Sequence, residues 1–177
     1  MKTPASEKAR GGPAGGLVAR ADRFAEERHK DQFRRDGKTP YVEHPRAVMA
    51  ILRRELGVDD PEVLAAALLH DTIEDTRTDY DDLQERFGRR VAELVAVLTK
   101  DKRLPEPRRE RAYFTRIARA PRAARLCKVA DTVHNLRDTD AAHRPKALGK
   151  ARKLLRALGG SPGLGKAIRL LRCQFAR

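Results

Sequence analysis

The densest chemical string in the chain is His70-Asp71-Thr72-Ile73-Glu74-Asp75-Thr76, which follows the apolar run Ala65-Ala66-Ala67-Leu68-Leu69. Ionisable groups are rarely carried at the end of a buried apolar segment unless they are paired or bound to a metal. Glu74 stands four residues after His70, and Asp75 four after Asp71. On a continuous helix each pair stacks one turn apart on one face. Two further strings offer the same chemistry. Tyr41-Val42-Glu43-His44-Pro45 sets His44 just ahead of a helix. Lys128-Val129-Ala130-Asp131-Thr132-Val133-His134-Asn135-Leu136 sets Asp131 and Asn135 four apart on one helical face. Together His44, His70, Asp71 and Asp131 would make a mixed imidazole–carboxylate site. Such ligation suits Mn²⁺, Fe²⁺ or Zn²⁺ better than Mg²⁺. Four protein ligands leave positions for water and a substrate oxygen, as metal-assisted hydrolysis requires. Glu74 or Asp75 would hold and deprotonate that water. If both crowd one site, like charge pushes one carboxyl pKa up. Tyr41 stands either against a base or in the core.

These residues need helices to position them, and the apolar spacing from Leu17 onward is helical throughout. A first helix is predicted from Leu17 to near Phe33. A second has Pro45 at its first position and ends at Gly57, and a third starts at Pro61 behind the cap Asp60 and runs to about Asp75. The third is apolar nearly all round, so it should be central. Short helices follow over about 79–87 and 89–99. Residues 100–107, with two prolines, read as a loop. Helices are then predicted from about 108 to 119, from Pro121 onward, and near 145–158 and 162–175. The fold class is all-α, an irregular helical bundle. Residues 1–16, rich in Gly and Pro, read as a flexible arm. Residues 17–158 read as the domain, and 159–177 as a basic C-terminal helix packed on it or extending it.

The chain has 177 residues, enough for one domain with its own core. Two cysteines exclude a disulfide framework and suit a reducing compartment. No apolar run is long enough to span a bilayer, which points to a soluble, cytoplasmic protein and no membrane partner. The net charge of +14 is unevenly placed. Residues 41–99 carry seven basic and thirteen acidic side chains, and residues 100–140 carry twelve and six. Residues 141–177 carry ten Lys and Arg and no acid. The chemistry-bearing middle is therefore neutral, with an acidic half for a cation and a basic half for phosphates. The excess lies outside it, where it leaves open contact with nucleic acid, the ribosome or a second copy.

Taken as ordered blocks, these residues resemble a known family. His44, His70-Asp71 and Asp131 match the pattern of the HD-domain metal-dependent phosphohydrolases. The blocks His29-x-x-Gln32-x-Arg34-Arg35, Pro40-Tyr41-x-x-His44-Pro45, His70-Asp71-x-x-Glu74-Asp75-Thr76, Phe87-Gly88-x-x-Val91 and Ala130-Asp131-x-x-His134-Asn135-Leu136 resemble the RelA/SpoT-type hydrolase domain. That resemblance implies an enzyme removing the 3′-pyrophosphate from ppGpp, similar to the stand-alone small alarmone hydrolases. It implies His44, His70, Asp71 and Asp131 as metal ligands, usually for Mn²⁺, and Glu74 and Asp75 as the acidic pair acting on water. It implies Arg34 and Arg35 near the base and Asn135 on the nucleotide. Lys100, Lys102, Arg109 and Arg111 fall in the segment that offers basic groups to phosphates. On charge and position Lys128 joins them. Arg35 stands where the family has Lys, Thr132 where it usually has Arg, and Asp138 where Thr is frequent. The last two departures, Thr132 and Asp138, keep a second reading open, an HD hydrolase of another nucleotide such as a nucleoside monophosphate or a 3′-phosphorylated dinucleotide. A third, a non-catalytic nucleic-acid module built on the tail, lacks stacking residues, with no Trp and 5% aromatics.

Overall fold

The computed structural model describes residues 14–176. The arm expected over 1–16 lies outside them except for its last three residues, which open the first helix. In order the helices are α1 (Ala14–Arg28), α2 (Glu43–Ala50, continued by a π-helical turn Ile51–Glu55), α3 (Pro61–Leu69), α4 (Thr72–Asp75), α5 (Tyr80–Phe87) and α6 (Arg89–Leu98). They continue with α7 (Glu106–Arg119), α8 (Arg122–Arg137), α9 (Arg144–Leu158) and α10 (Gly165–Cys173). Among the described residues, β pairing is confined to one isolated bridge, Phe33 with Pro40. The fold is all-α, as expected.

Helix α3 is the axis. Its residues Val63–Leu69 are all buried, and it packs against α1, α2, α6 and α8. The Asp60 carboxylate accepts from the Glu62 N–H at 3.0 Å, and Pro61 fills a first-turn position where a missing N–H costs no bond. Helix α5 opens on a capping box between Asp79 and Asp82 and stops at Gly88. Gly88 has φ +88°, a backbone state that β-carbon-bearing residues avoid. Helix α8 buries Ala124, Cys127, Val129, Ala130 and Val133; α9 packs on α7 and α8, and α10 on α8. The basic tail is thereby folded against the bundle. Leu164, Ala167 and Leu171 are buried, and Arg122 donates to the Gly163 carbonyl at 3.0 Å. No helix among the described residues is long and apolar enough to cross a membrane.

Three boundaries differ from the sequence expectation, and each matters to the site. Helix α1 ends at Arg28, not Phe33. Asp31 takes a left-handed φ of +62°, and Phe33, counted as part of the helix, is 53% exposed. Residues 29–42 form a loop that carries Arg34, Arg35 and Tyr41 across the mouth of the bundle. Helix α2 begins at Glu43, so Pro45 is its third residue, still within the first turn where no intrahelical bond is lost. Helix α3 stops at Leu69 instead of continuing to Asp75. The last carbonyls are taken by side chains: His70 Nδ1 lies 2.8 Å from the Ala67 oxygen, and the Thr72 hydroxyl donates to the Leu69 oxygen at 2.7 Å. Asp71 links α3 to α4: the Asp75 N–H donates to the Asp71 carbonyl at 2.9 Å, so those two residues stay one turn apart as expected, whereas His70 and Glu74 are not joined by such a bond.

Candidate active site

Four donor groups meet where α2, the α3–α4 link and α8 converge. His44 Nε2 lies 3.2 Å from Asp131 Oδ1 and 3.6 Å from Asp71 Oδ2. His70 Nε2 lies 3.0 Å from Asp71 Oδ2 and 3.8 Å from Asp131 Oδ1. Ligand atoms of His44, His70 and Asp131 all fall within 4.8 Å of one another, and all three side chains are buried. The surroundings set the tautomers. His70 Nδ1 must carry the proton it donates to the Ala67 carbonyl, which leaves Nε2 as the donor toward the cluster. His44 Nδ1 meets His134 Nδ1 at 2.8 Å, and one ring must donate. With the hydrogen on His44 Nδ1, its Nε2 lone pair also faces the cluster. The His134 pKa is lowered to about 4 by burial and by His44, which keeps His134 a neutral acceptor near neutral pH. Two imidazole nitrogens and two carboxylate oxygens, each backed by a hydrogen bond to a neighbour, fit a divalent cation.

The carboxylates are held in place by donors of their own. Asp71 accepts from the Tyr41 hydroxyl at 2.7 Å. Asp131 accepts from Lys128 Nζ at 2.6 Å and from Asn135 Nδ2 at 2.5 Å. Burial opposes ionisation of both, but the His70 imidazole beside Asp71 and the Lys128 ammonium beside Asp131 hold them well below the usual carboxylate range. For His70, burial alone would lower the pKa; Asp71 and Asp131 outweigh it and push it up to about 9. The extra proton then occupies Nε2, the atom a cation would take. Loading metal near neutral pH should therefore release about one proton from His70. Calorimetric metal titrations in buffers of different ionisation enthalpy should detect it, with apparent affinity falling as pH drops below about 9. A buffer-independent heat at neutral pH would contradict the assignment of His70 as a ligand.

Above the donors lies a cavity of about 490 Å³, within the range of a nucleotide-sized ligand. Glu74 reaches its edge with a 13% exposed carboxylate that accepts from the Lys100 backbone N–H at 3.0 Å and faces Lys100 Nζ at 3.4 Å. Asp75 accepts from Lys102 Nζ at 2.6 Å and lies 3.5 Å from the Tyr41 hydroxyl. Lys100 and Lys128 each stand 5.2 Å from the centre of the Tyr113 ring. Burial pushes the Tyr113 pKa up to about 12, so the ring stays neutral between two ammonium groups. On the other wall Arg34 binds Asp138 at 2.6 and 3.0 Å, approaches Asn135 Oδ1 at 3.5 Å and lies over the Tyr41 ring. Asp138, a departure from the family pattern, thus anchors the arginine expected near the base. Thr132, another departure, donates its hydroxyl to the Lys128 carbonyl at 2.8 Å.

Of the residues singled out in the sequence, His44, His70, Asp71, Asp131, Glu74, Asp75, Arg34, Arg35, Lys100, Lys128 and Asn135 line this one cavity. Lys102 sits at its rim through its bonds to Asp75 and to the Glu74 carbonyl. Arg109 and Arg111 are not brought to it. Glu110, Tyr113 and Phe114 are the cavity-facing residues of α7, and one residue either side of Glu110 turns away by about 100°. Arg111 lines a separate groove with Arg108, Thr115 and Arg119. The reverse correction applies to the tail. His143, just before α9, and Lys146, Ala147 and Lys150 of α9 form part of the cavity wall, although the sequence reading set 141–177 apart from the chemistry. Their spacing of three, four and seven residues is one helical face, the signal that was available.

Comparison with known proteins agrees with this geometry. The HD domain family model matches residues 21–157. The chain is 45% identical over 123 residues to guanosine-3′,5′-bis(diphosphate) 3′-pyrophosphohydrolase MESH1 of Xenopus tropicalis, covering 69% of each chain. It is 44% identical over 129 residues to the human protein of the same name, covering 72% of each. The solved structure of a metazoan ortholog of SpoT that hydrolyses ppGpp aligns with a TM-score of 0.82 at 32% identity, covering 95% of this chain and 97% of that one. With its matched span, its donor set and these relatives, the chain belongs to the HD-domain family, in the branch that holds the guanosine-3′,5′-bis(diphosphate) 3′-pyrophosphohydrolases.

Proposed function

We propose that the protein is a divalent-metal-dependent guanosine-3′,5′-bis(diphosphate) 3′-pyrophosphohydrolase, releasing pyrophosphate from a ppGpp-type nucleotide. The carrying observation is the His44, His70 and Asp131 cluster, with Asp71 beside it, beneath a cavity lined by both acidic and basic side chains, in a chain 45% identical to a curated enzyme of that name. His44, His70, Asp71 and Asp131 would hold the cation; the N/O donor set suits Mn²⁺, Fe²⁺ or Zn²⁺, and among these the resemblance to the RelA/SpoT-type hydrolases points to Mn²⁺. When bound, the cation makes the attacking water more acidic and offsets charge on the phosphoryl oxygens. Glu74 takes the proton from that water, its carboxylate oriented by the Lys100 N–H. Asp75, fixed by Lys102 and Tyr41, supports the water from the other side. Lys100 and Lys128 offset the charge of the 3′-diphosphate as the water oxygen bonds its inner phosphorus and the ribose 3′-oxygen leaves, taking up a proton. Arg34, Arg35 and Asn135 receive the nucleoside. Two free cysteines, Cys127 buried and Cys173 exposed, fit a reducing compartment, and the proposal includes a cytoplasmic location.

One observation favours a second reading, an HD hydrolase of a different nucleotide: the Arg34 guanidinium is already bound to Asp138 and would have to share it with a base. A single assay separates the two. Purified protein is incubated with Mn²⁺ and, separately, ppGpp, GTP, GMP and NADPH. Pyrophosphate from ppGpp, abolished by EDTA and restored by Mn²⁺, is the expected result. Turnover of another nucleotide in place of ppGpp would favour the second reading, and no turnover by metal-loaded protein would overturn both.

A further inference from the structure

Four lysines line the cavity, and they are not equivalent. Lys100 is ion-paired with Glu74 and Lys128 with Asp131, both within the chemistry described above. Lys146 and Lys150, one turn apart on α9, make no hydrogen bond or ion pair among the described residues. The carboxylate acting on Lys150 is Glu110, and Glu110 is itself paired with Lys153. Like charges four residues apart on a helix repel, and here two such exposed groups line a concave wall shared with Lys100 and Lys128. Burial and the neighbouring ammonium groups of Lys100, Lys146 and Lys128 lower the Lys150 pKa. Two cations without an ion-pair partner, side by side in a concave, partly apolar site, are a ready site for a polyanion.

We propose that Lys146 and Lys150 form a second anion subsite in the cavity. It takes the 5′ phosphates of the substrate while the 3′-diphosphate lies at the metal donors, and it makes the enzyme favour nucleotides with more 5′ phosphates. The inference rests on the reading that the donor cluster holds the scissile 3′-diphosphate. It adds that substrate choice is made by the phosphate count at the other end, through a helix outside the motif-bearing segments.

The test uses a series of guanosine 3′-diphosphates carrying none, one, two or three 5′ phosphates, hydrolysed by the Mn²⁺-loaded enzyme. The wild type should show kcat/KM rising along the series, by about tenfold or more from the first to the last, as charge-assisted hydrogen bonds are gained. The double variant Lys146→Gln/Lys150→Gln should flatten the series while leaving the substrate without 5′ phosphate unaffected. In parallel, inorganic triphosphate is titrated calorimetrically into each protein in EDTA, and the double variant should bind it about tenfold more weakly. A control of equal charge change, Lys166→Gln/Arg169→Gln on α10, should alter neither readout. A flat series in the wild type, an equal loss on every substrate, or an equal effect of the control would overturn the subsite. If no member of the series is hydrolysed, the proposed function fails instead, and the triphosphate titration still decides the subsite.

Discussion

Glu74→Gln should lower kcat for pyrophosphate release by about 10²- to 10⁴-fold, the usual contribution of a positioned general base. The substitution keeps the shape of the side chain and an oxygen to accept the Lys100 N–H, a bond of 3.0 Å in the wild type. What it removes is the capacity to take a proton. Glu74 is not among the donors that converge on the metal position, so the variant should bind Mn²⁺ with wild-type stoichiometry. It should also unfold at a wild-type denaturant midpoint, because the Lys100 ion pair it loses is partly exposed and weak. A large loss in kcat with metal content intact would locate the defect in proton transfer. Wild-type turnover in this variant would remove Glu74 from the mechanism and leave Asp75, the other acid at the cavity edge, as the group to test.

The donor set was legible in the sequence for a physical reason. His70 and Asp71 end a helix whose other residues are apolar on every side, and polar groups in that position need partners. The start of α3 was legible for the same kind of reason, since Asp60 supplies an acceptor for the free N–H groups of a helix N-terminus and Pro61 has no N–H to leave unpaired. What could not be read was which face of a polar helix turns inward. Both α7 and α9 carry closely spaced basic residues, and the family resemblance pointed to the segment that holds Arg109 and Arg111 without saying which of its side chains turn inward. The packing of α7 on α8 and α9 decided otherwise, burying Tyr113 and Ile117 and turning Arg111 outward. The loop 29–42 was equally hidden. The helical spacing was read on to about Phe33, and only the left-handed turn at Asp31 diverts the chain so that Arg34 and Tyr41 reach residues about a hundred positions and thirty positions away. Local signals set the ligands; long-range packing set the walls.

Asp131→Ala should produce the largest combined loss of activity and stability in the molecule. Its carboxylate is 9% exposed and serves His44, Lys128 and Asn135 at once. Removing it takes away one donor to the cation, which should abolish turnover. It also leaves the Lys128 ammonium, 15% exposed and beside the Tyr113 ring, without its counter-charge. Breaking a buried ion pair from one side costs about 3–5 kcal/mol, more than the pair itself contributes, because the remaining charge stays desolvated. The loss should be measured by urea unfolding in EDTA, so that metal binding does not enter. The two effects separate in a second variant. Asp131→Ala/Lys128→Met replaces the orphaned ammonium with an apolar side chain of similar length. It should recover most of the lost stability, since an apolar group needs no counter-charge. It should recover none of the turnover, since the donor is still missing. If the double variant were as unstable as the single one, the cost would lie in the contacts of Asp131 with His44 and Asn135, and Lys128 would be a solvated bystander. If the single variant retained metal-dependent turnover, Asp131 would be a structural counter-ion to Lys128, and the cation would be held by His44, His70 and Asp71 alone.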